Sequence, residues 1–154
     1  MKNKNVKKDW KYYVKKVKKS QPYNMQEDPA QKKKRRKKAQ KFYKKYGFRY
    51  EECWNLDHTL TTYILPRLAY MRDNYMSYPG CLAEYNEIGE IIKDGYEVWQ
   101  EYLDKMILAF DHIIDEDFCR EPSFVDDKEN WEKWQKEKKE GLKLFGEWFE
   151  NLWD

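Results

Sequence analysis

The chain has 154 residues, 40% of them hydrophobic and 38% charged, so we expect one domain whose core is economical in apolar residues. Aromatic residues make up 18% of the chain, and their rings therefore supply much of the buried area. The sequence has no run of about 18 apolar residues and no apolar segment after its basic start, so we expect neither a membrane-spanning helix nor a secretory signal.

Charge divides the chain into two unlike parts. Residues 1–50 carry 20 Lys and Arg against 3 Asp and Glu, a net charge of +17, whereas residues 51–154 carry 11 against 25, a net charge of −14. This asymmetry predicts a basic helical N-terminal extension over residues 1–47 and an acidic, aromatic-rich helical bundle over residues 48–154.

Two helices are predicted in the basic part. The first covers Asn5–Lys19 and has an apolar edge that includes Trp10. Two compatible interpretations are a docking helix that covers part of the core, and a basic amphipathic helix for nucleic acid or another anionic surface. The second begins at Pro29, where Asp28 can cap it, and ends at Gly47.

Four further helices are predicted from helical spacing of apolar residues: Trp54–Tyr75, a short or irregular one within Cys81–Lys93, Tyr96–Asp115, and Lys128–Trp153. The first of these is expected to be the helix around which the rest is built. Its apolar stripe consists of Leu56, Leu60, Ile64, Leu68, Met71 and Tyr75. No segment has the alternation of a strand. The prediction is an all-α fold, a small bundle of three main helices and one minor helix with a basic helical N-terminal extension.

A dense basic run follows the start of the second helix and predicts binding to a polyanion. It consists of Lys32, Lys33, Lys34, Arg35, Arg36, Lys37 and Lys38. Such residues neutralise phosphates and release counterions, and neighbouring rings such as Trp10 and Tyr43 can stack on bases. The alternatives are a solubilising extension, or one that docks on the acidic face of its own chain.

A second candidate site lies on the predicted core helices. Its residues are Asp57, His58, Arg67, Asp104 and Lys105. Arg67 can grip a phosphate or carboxylate with two hydrogen bonds, and Asp57 can pair with Lys105 if the helices run antiparallel. The cluster is either a salt-bridge network that fixes the helix register or a pocket for a small anionic ligand such as a nucleotide.

Catalytic and metal-binding motifs are missing from the sequence. Cys53, Cys81 and Cys119 are odd in number and widely spaced, which favours reduced thiols over a disulfide framework. Neither Cys53 with His58 nor His112 with Cys119 has the spacing of a zinc motif. A glycine-rich phosphate loop and a GxSxG motif are also missing. We therefore predict no metal, no cofactor and no enzymatic activity.

The last predicted helix is rich in tryptophan. Trp131, Trp134 and Trp148 lie on its apolar stripe. They are either buried within the bundle or part of a protein interface, where tryptophan is over-represented. The second interpretation predicts a homodimer through this helix.

Three segments together resemble a family of small uncharacterised bacteriophage proteins. These are WNLDHTLTTYILPRLAYMRDN (Trp54–Asn74), EYLDKMILAFDHI (Glu101–Ile113) and EGLKLFGEWFENLWD (Glu140–Asp154). Members of that family combine NLD-x-TL…ILPRL, LDKMI-x-AF and GL-x-LF…LWD segments in this order. The resemblance implies an accessory role for a phage, in the host cytoplasm, and implies no catalytic residues.

Two functions are therefore predicted. The first is a non-enzymatic phage accessory protein that binds nucleic acid through its basic N-terminal region. The alternative is a counter-defence protein whose helical bundle binds a host protein or sequesters a small anionic nucleotide signal. This alternative is drawn by analogy with phage proteins as a class.

Overall fold

Helices make up most of the computed structural model, which describes residues 8–19, 29–116 and 119–153. The five α-helices of these residues are α1 (Trp10–Lys19), α2 (Pro29–Tyr46), α3 (Leu56–Asn74), α4 (Gly95–Glu116) and α5 (Lys128–Glu147). Short 3₁₀ turns cover Tyr50–Cys53, Gly80–Leu82 and Phe149–Asn151. The predicted all-α bundle with a basic helical N-terminal pair is confirmed. None of the described helices is long and apolar enough to cross a membrane.

Helix α4 occupies the centre of the bundle, since it packs against both α3 and α5. Ten of its residues are buried, against five in α3. Leu103, Met106 and Ile107 are at most 1% exposed. The expectation that the bundle is built around the preceding helix was therefore wrong, because α4 is apolar on a broader face and can serve two neighbours.

The buried face of α3 differs from the predicted stripe. Its buried residues are Thr61, Leu65, Leu68, Ala69 and Arg72. Leu56 and Leu60 were expected on that face but are 52% and 48% exposed. The prediction failed because two polar residues, Thr61 and Arg72, take places on the buried face, and apolar periodicity cannot detect them.

The minor helix predicted within Cys81–Lys93 is absent, and that prediction was wrong. After the turn at Gly80–Leu82, strands β1 (Glu84–Tyr85) and β2 (Ile91–Lys93) pair antiparallel in a small hairpin. Gly89 adopts a φ of +83°, which a helix cannot accommodate. The expectation that the chain has no strand was also wrong, because β1 and β2 are strands.

Helix α1 packs against α3 and belongs to the core. Tyr13 is 6% exposed, and Trp10 and Val17 pack against the buried cluster. This placement confirms the docking interpretation of the first helix for its described residues; Asn5 lies outside them. The predicted boundary at residue 47 stays a prediction.

Helix α2 contacts the rest of the chain near its C-terminal end, at the 3₁₀ turn Tyr50–Cys53. It ends where predicted: Gly47 has a φ of +80° and its amide donates to the Tyr43 carbonyl at 2.8 Å. The predicted capping residue Asp28 lies outside the described residues.

Candidate nucleic-acid interface

Helix α2 concentrates positive charge on an exposed surface. Its 18 residues include ten Lys and Arg and no Asp or Glu. Of the predicted basic run, the residues from Lys33 to Lys38 are exposed. Lys32 is on the same helix, but its side chain lies outside the described set. Like charges at this density repel one another, so a bound polyanion would stabilise the helix.

Five lysines of α2 share one side of the helix and define what we call the lysine stripe: Lys34, Lys37, Lys38, Lys41 and Lys45. They recur three or four residues apart, which is the helical repeat. The half-buried packing edge, Ala39 and Phe42, borders the stripe, since Phe42 follows Lys38 by four residues and lies about 40° from it around the helix. At 1.5 Å per residue the helix is about 27 Å long, which matches roughly eight phosphates of one strand.

An aromatic platform lies next to the lysine stripe. It consists of Phe42, Tyr46, Phe48, Tyr50 and Trp54. The Phe42 ring centroid lies 4.5, 5.5 and 5.7 Å from those of Tyr46, Phe48 and Tyr50, and Tyr50 lies 6.2 Å from Trp54. The left-handed Gly47 reverses the chain and so brings the later rings back against the end of α2.

Part of the platform escaped prediction. Phe48, Tyr50 and Trp54 follow the predicted boundary at residue 47 and were assigned to the bundle. The signal that could have found them is the density of aromatic residues on both sides of Gly47. Tyr43, which was predicted to bind nucleic acid, is 52% exposed but lies about 160° around the helix from Lys41.

One lysine of α1 is used differently, because Lys16 is buried, whereas the other lysines of that helix are exposed. Lys16 Nζ lies 2.5 Å from Asp111 Oδ1 and 2.7 Å from Asp115 Oδ1, both on α4. Lys8 Nζ lies 3.6 Å from the other oxygen of Asp111. The idea that basic residues dock on the acidic face of their own chain therefore holds for Lys8 and Lys16.

A second buried cation, Arg72 of α3, also holds the N-terminal segment. It is 4% exposed and donates to Asp73 at 2.8 Å, to Asp104 at 2.9 Å and to the Lys8 carbonyl at 2.6 Å. Burial alone would lower the pKa of Arg72, but the hydrogen bonds to the two carboxylates together raise it. Arg72 was not among the predicted site residues.

Trp10 was predicted to stack on bases, and it lies half-buried at the start of α1. Its amide donates to Asp73 Oδ2 at 2.8 Å. Its ring meets Tyr70 edge-on, with centroids 5.3 Å apart. One side of this indole is thus occupied by packing within the protein.

Two members of the predicted polar cluster have other partners. Asp104 pairs with Arg72, and Lys105 Nζ lies 2.6 Å from Glu140 Oε1 on α5, instead of pairing with Asp57. This hydrogen bond raises the pKa of Lys105 and lowers that of Glu140. These contacts favour the interpretation as a salt-bridge network that fixes the helix register.

The other three members lie along α3. Asp57 is exposed and His58 half-buried in the first turn. Arg67 follows Asp57 by ten residues, about 15 Å along the axis. Its guanidinium lies 3.6 Å from the Tyr63 ring centroid and donates to the Tyr63 carbonyl at 2.6 Å. Asp57 and Arg67 are therefore too far apart to line one small pocket.

The tryptophans of α5 pack within the bundle. Trp148 lies 5.8 Å from Trp99, and Trp134 stacks on His112 with centroids 3.5 Å apart. Trp131 is half-buried. These contacts favour burial over an interface for Trp134 and Trp148, whereas Trp131 meets the exposed Phe124, and the homodimer stays a prediction.

His112 is buried between α4 and α5. Its Nε2 lies 3.1 Å from Glu137 Oε2, and Asp111 and Asp115 are near it on α4. Burial is the larger effect and lowers the pKa of His112, although the three carboxylates oppose it. The buried site therefore favours the neutral form of the imidazole.

Cys53, Cys81 and Cys119 are free thiols and are exposed. Among the described residues, no group of three or more His, Cys, Asp or Glu side chains could hold a metal ion. No protein-family description, curated protein or solved structure matches the chain. The resemblance to the phage family stays a prediction.

Proposed function

We propose that this protein binds nucleic acid through α2, with the lysine stripe on the phosphate backbone. The observation that carries the proposal is the exposed helix with ten positive charges and no negative one. The contrast with α1 supports it, because Lys16 of α1 is buried against two carboxylates whereas the lysines of the stripe are exposed. We further propose a non-enzymatic accessory role for a phage in the host cytoplasm, on the strength of the resemblance.

The stripe sets the expected salt dependence. If all five lysines neutralise phosphates, log K should fall against log salt with a slope of about −3.5 for single strands and about −4.5 for duplex DNA. Raising the salt from about 50 to about 200 mM would then weaken binding roughly 100- to 500-fold. A slope near zero would contradict phosphate contact.

The test compares two triple variants of the full chain. Lys34, Lys37 and Lys41 are replaced by Glu in one of them. In the control, Lys136, Lys139 and Lys143 of α5 are replaced by Glu; they are exposed and have the same spacing along their helix. Both variants change the net charge equally, so only the position of the change differs.

Binding is measured by fluorescence anisotropy with labelled single-stranded and duplex DNA, and circular dichroism checks that each variant is folded. We expect the α2 variant to lose at least about tenfold in affinity while the α5 variant changes little. Equal losses in the two variants, or no loss in the α2 variant, would refute the proposal.

One observation supports the alternative function. Arg67 is exposed and lines a groove of about 520 Å³ together with Trp10, Tyr70, Tyr75 and Trp153. A cationic side chain among aromatic rings suits a nucleotide, so the counter-defence proposal now rests on Arg67. Calorimetric titration with nucleotides tests it: any binding should be lost in Arg67→Ala, and binding that persists in that variant would exclude this groove.

A further inference from the structure

The aromatic platform is more exposed than packing requires. Trp54 is 78% exposed, Tyr46 51% and Phe48 43%. Rings this exposed contribute little to a core, and large exposed apolar groups that are clustered mark binding surfaces. Here the cluster sits beside a helix of dense positive charge, which indicates what kind of partner fits.

The stripe and the platform form one continuous surface. Lys38 Nζ lies 5.9 Å from the Tyr50 ring centroid, and Lys45 Nζ lies 4.8 Å from that of Tyr46. A nucleic-acid chain that runs along the stripe therefore has rings within reach at its end. Phosphates and bases of one strand can be contacted at the same time.

We propose that the site prefers single-stranded nucleic acid, with unpaired bases stacked on Trp54 and Phe48 while the lysine stripe holds the backbone. This inference rests on the proposed nucleic-acid binding and adds the class of substrate. In a duplex the faces of the bases are covered by their neighbours, so the platform adds no affinity there. In a single strand every base offers a face, and the platform favours no particular sequence.

A membrane surface is the competing partner for basic and aromatic residues. Helices that lie on a bilayer present a continuous apolar face along their length. Helix α2 lacks one, because the only apolar residues of its Lys33–Tyr46 segment are Ala39, Phe42, Tyr43 and Tyr46, in the last two turns, and Ala39 and Phe42 are half-buried. The charge and the placement of the rings thus favour a nucleic-acid strand.

The experiment measures the affinity of the full chain for a thymidine strand, for a duplex of the same length and for phosphatidylglycerol vesicles. Trp54→Ala and Phe48→Ala are compared with Phe149→Ala, whose ring is 62% exposed and lies outside both the platform and the Arg67 groove. We expect the wild type to prefer the single strand. Trp54→Ala should weaken single-strand binding roughly tenfold and duplex binding less than about twofold.

Three results would overturn the inference. One is a wild type that binds the duplex at least as tightly as the single strand. Another is an equal loss for both DNA forms in Trp54→Ala and Phe48→Ala. The third is vesicle binding that depends on Trp54 while neither DNA form does. In the first two cases the proposed nucleic-acid binding survives if the α2 triple variant still loses binding. If the wild type binds no DNA, the proposed function and the preference for single strands both fail.

Discussion

Replacing Lys16 by alanine should lower the free energy of unfolding by about 3 kcal/mol, because it removes the buried cation that pairs with the buried Asp111 and the half-buried Asp115. The side chain of Lys16 is 7% exposed, and those of Asp111 and Asp115 are 7% and 18% exposed. Breaking a buried pair of this kind costs roughly 3–5 kcal/mol. The lower end applies here because Lys8, 3.6 Å from Asp111, and Arg120, 3.6 Å from Asp115, remain in place.

The control is Lys15→Ala, at a neighbouring and exposed position of the same helix. It should change the free energy of unfolding by less than about 0.5 kcal/mol. Urea unfolding followed by circular dichroism measures both variants, and thermal unfolding gives a second estimate. For a chain of this size about 3 kcal/mol corresponds to a fall in Tm of roughly 6–12 °C.

A Lys16→Ala protein as stable as Lys15→Ala would refute the reasoning. It would mean that α1 is not held on the bundle by the buried ion pairs. Lys16 would then be available to a polyanion together with the lysines of α1 that are already exposed, and α2 could no longer be singled out as the binding helix. The stability measurement thus bears directly on the proposed site.

Two further substitutions test the packing of α4 against α5. Gly141→Ala should destabilise the protein by about 1–3 kcal/mol despite the better helix propensity of alanine, because the added carbon would meet the α4 backbone and lie 2.6 Å from Ala109 Cβ. Gly146→Ala has open space and should instead be neutral or stabilising by up to about 1 kcal/mol; equal effects at the two sites in urea unfolding would contradict the close approach. The lowered pKa of His112 means that the unfolded chain takes up a proton first as the pH falls below about 6.5. Stability should therefore decline from about pH 7 to about pH 5, and less so in His112→Gln; parallel pH profiles would show that folding leaves the pKa of His112 unchanged, and a wild type that gains stability relative to His112→Gln as the pH falls would show that the carboxylates hold the imidazole charged.

Sequence patterns predicted those features that depend on local chemistry. Helical spacing located α4 and α5, and Gly47 marked the end of α2, because the left-handed conformation is one that glycine adopts most easily. The exposed basic run was also evident, since seven like charges in succession cannot be buried. Each of these inferences needs only residues close together in the chain.

Features that depend on residues far apart in the chain could not be predicted from the sequence. The burial of Lys16 requires two carboxylates about 95 positions away, and no local pattern predicts their meeting. Arg72 likewise occupies the buried face of α3 because Asp73, Asp104 and a backbone carbonyl surround it. The aromatic platform was missed for a related reason: it spans Gly47, where the change in net charge suggested a boundary.

These placements decide how the nucleic-acid site should be tested. A chain shortened to begin at Tyr46 would lack nearly all of α2, but it would also lack the buried Tyr13 and Lys16. Asp111 would lose its contacts with Lys8 and Lys16, and Arg72 its bond to the Lys8 carbonyl. Loss of DNA binding in that chain would then report unfolding as readily as loss of the lysine stripe. Charge reversal on α2 leaves the α1 contacts in place and separates the two effects. If the shortened chain nevertheless unfolded with the stability of the full chain, the docking of α1 would be contradicted, and its lysines would have to be added to the site.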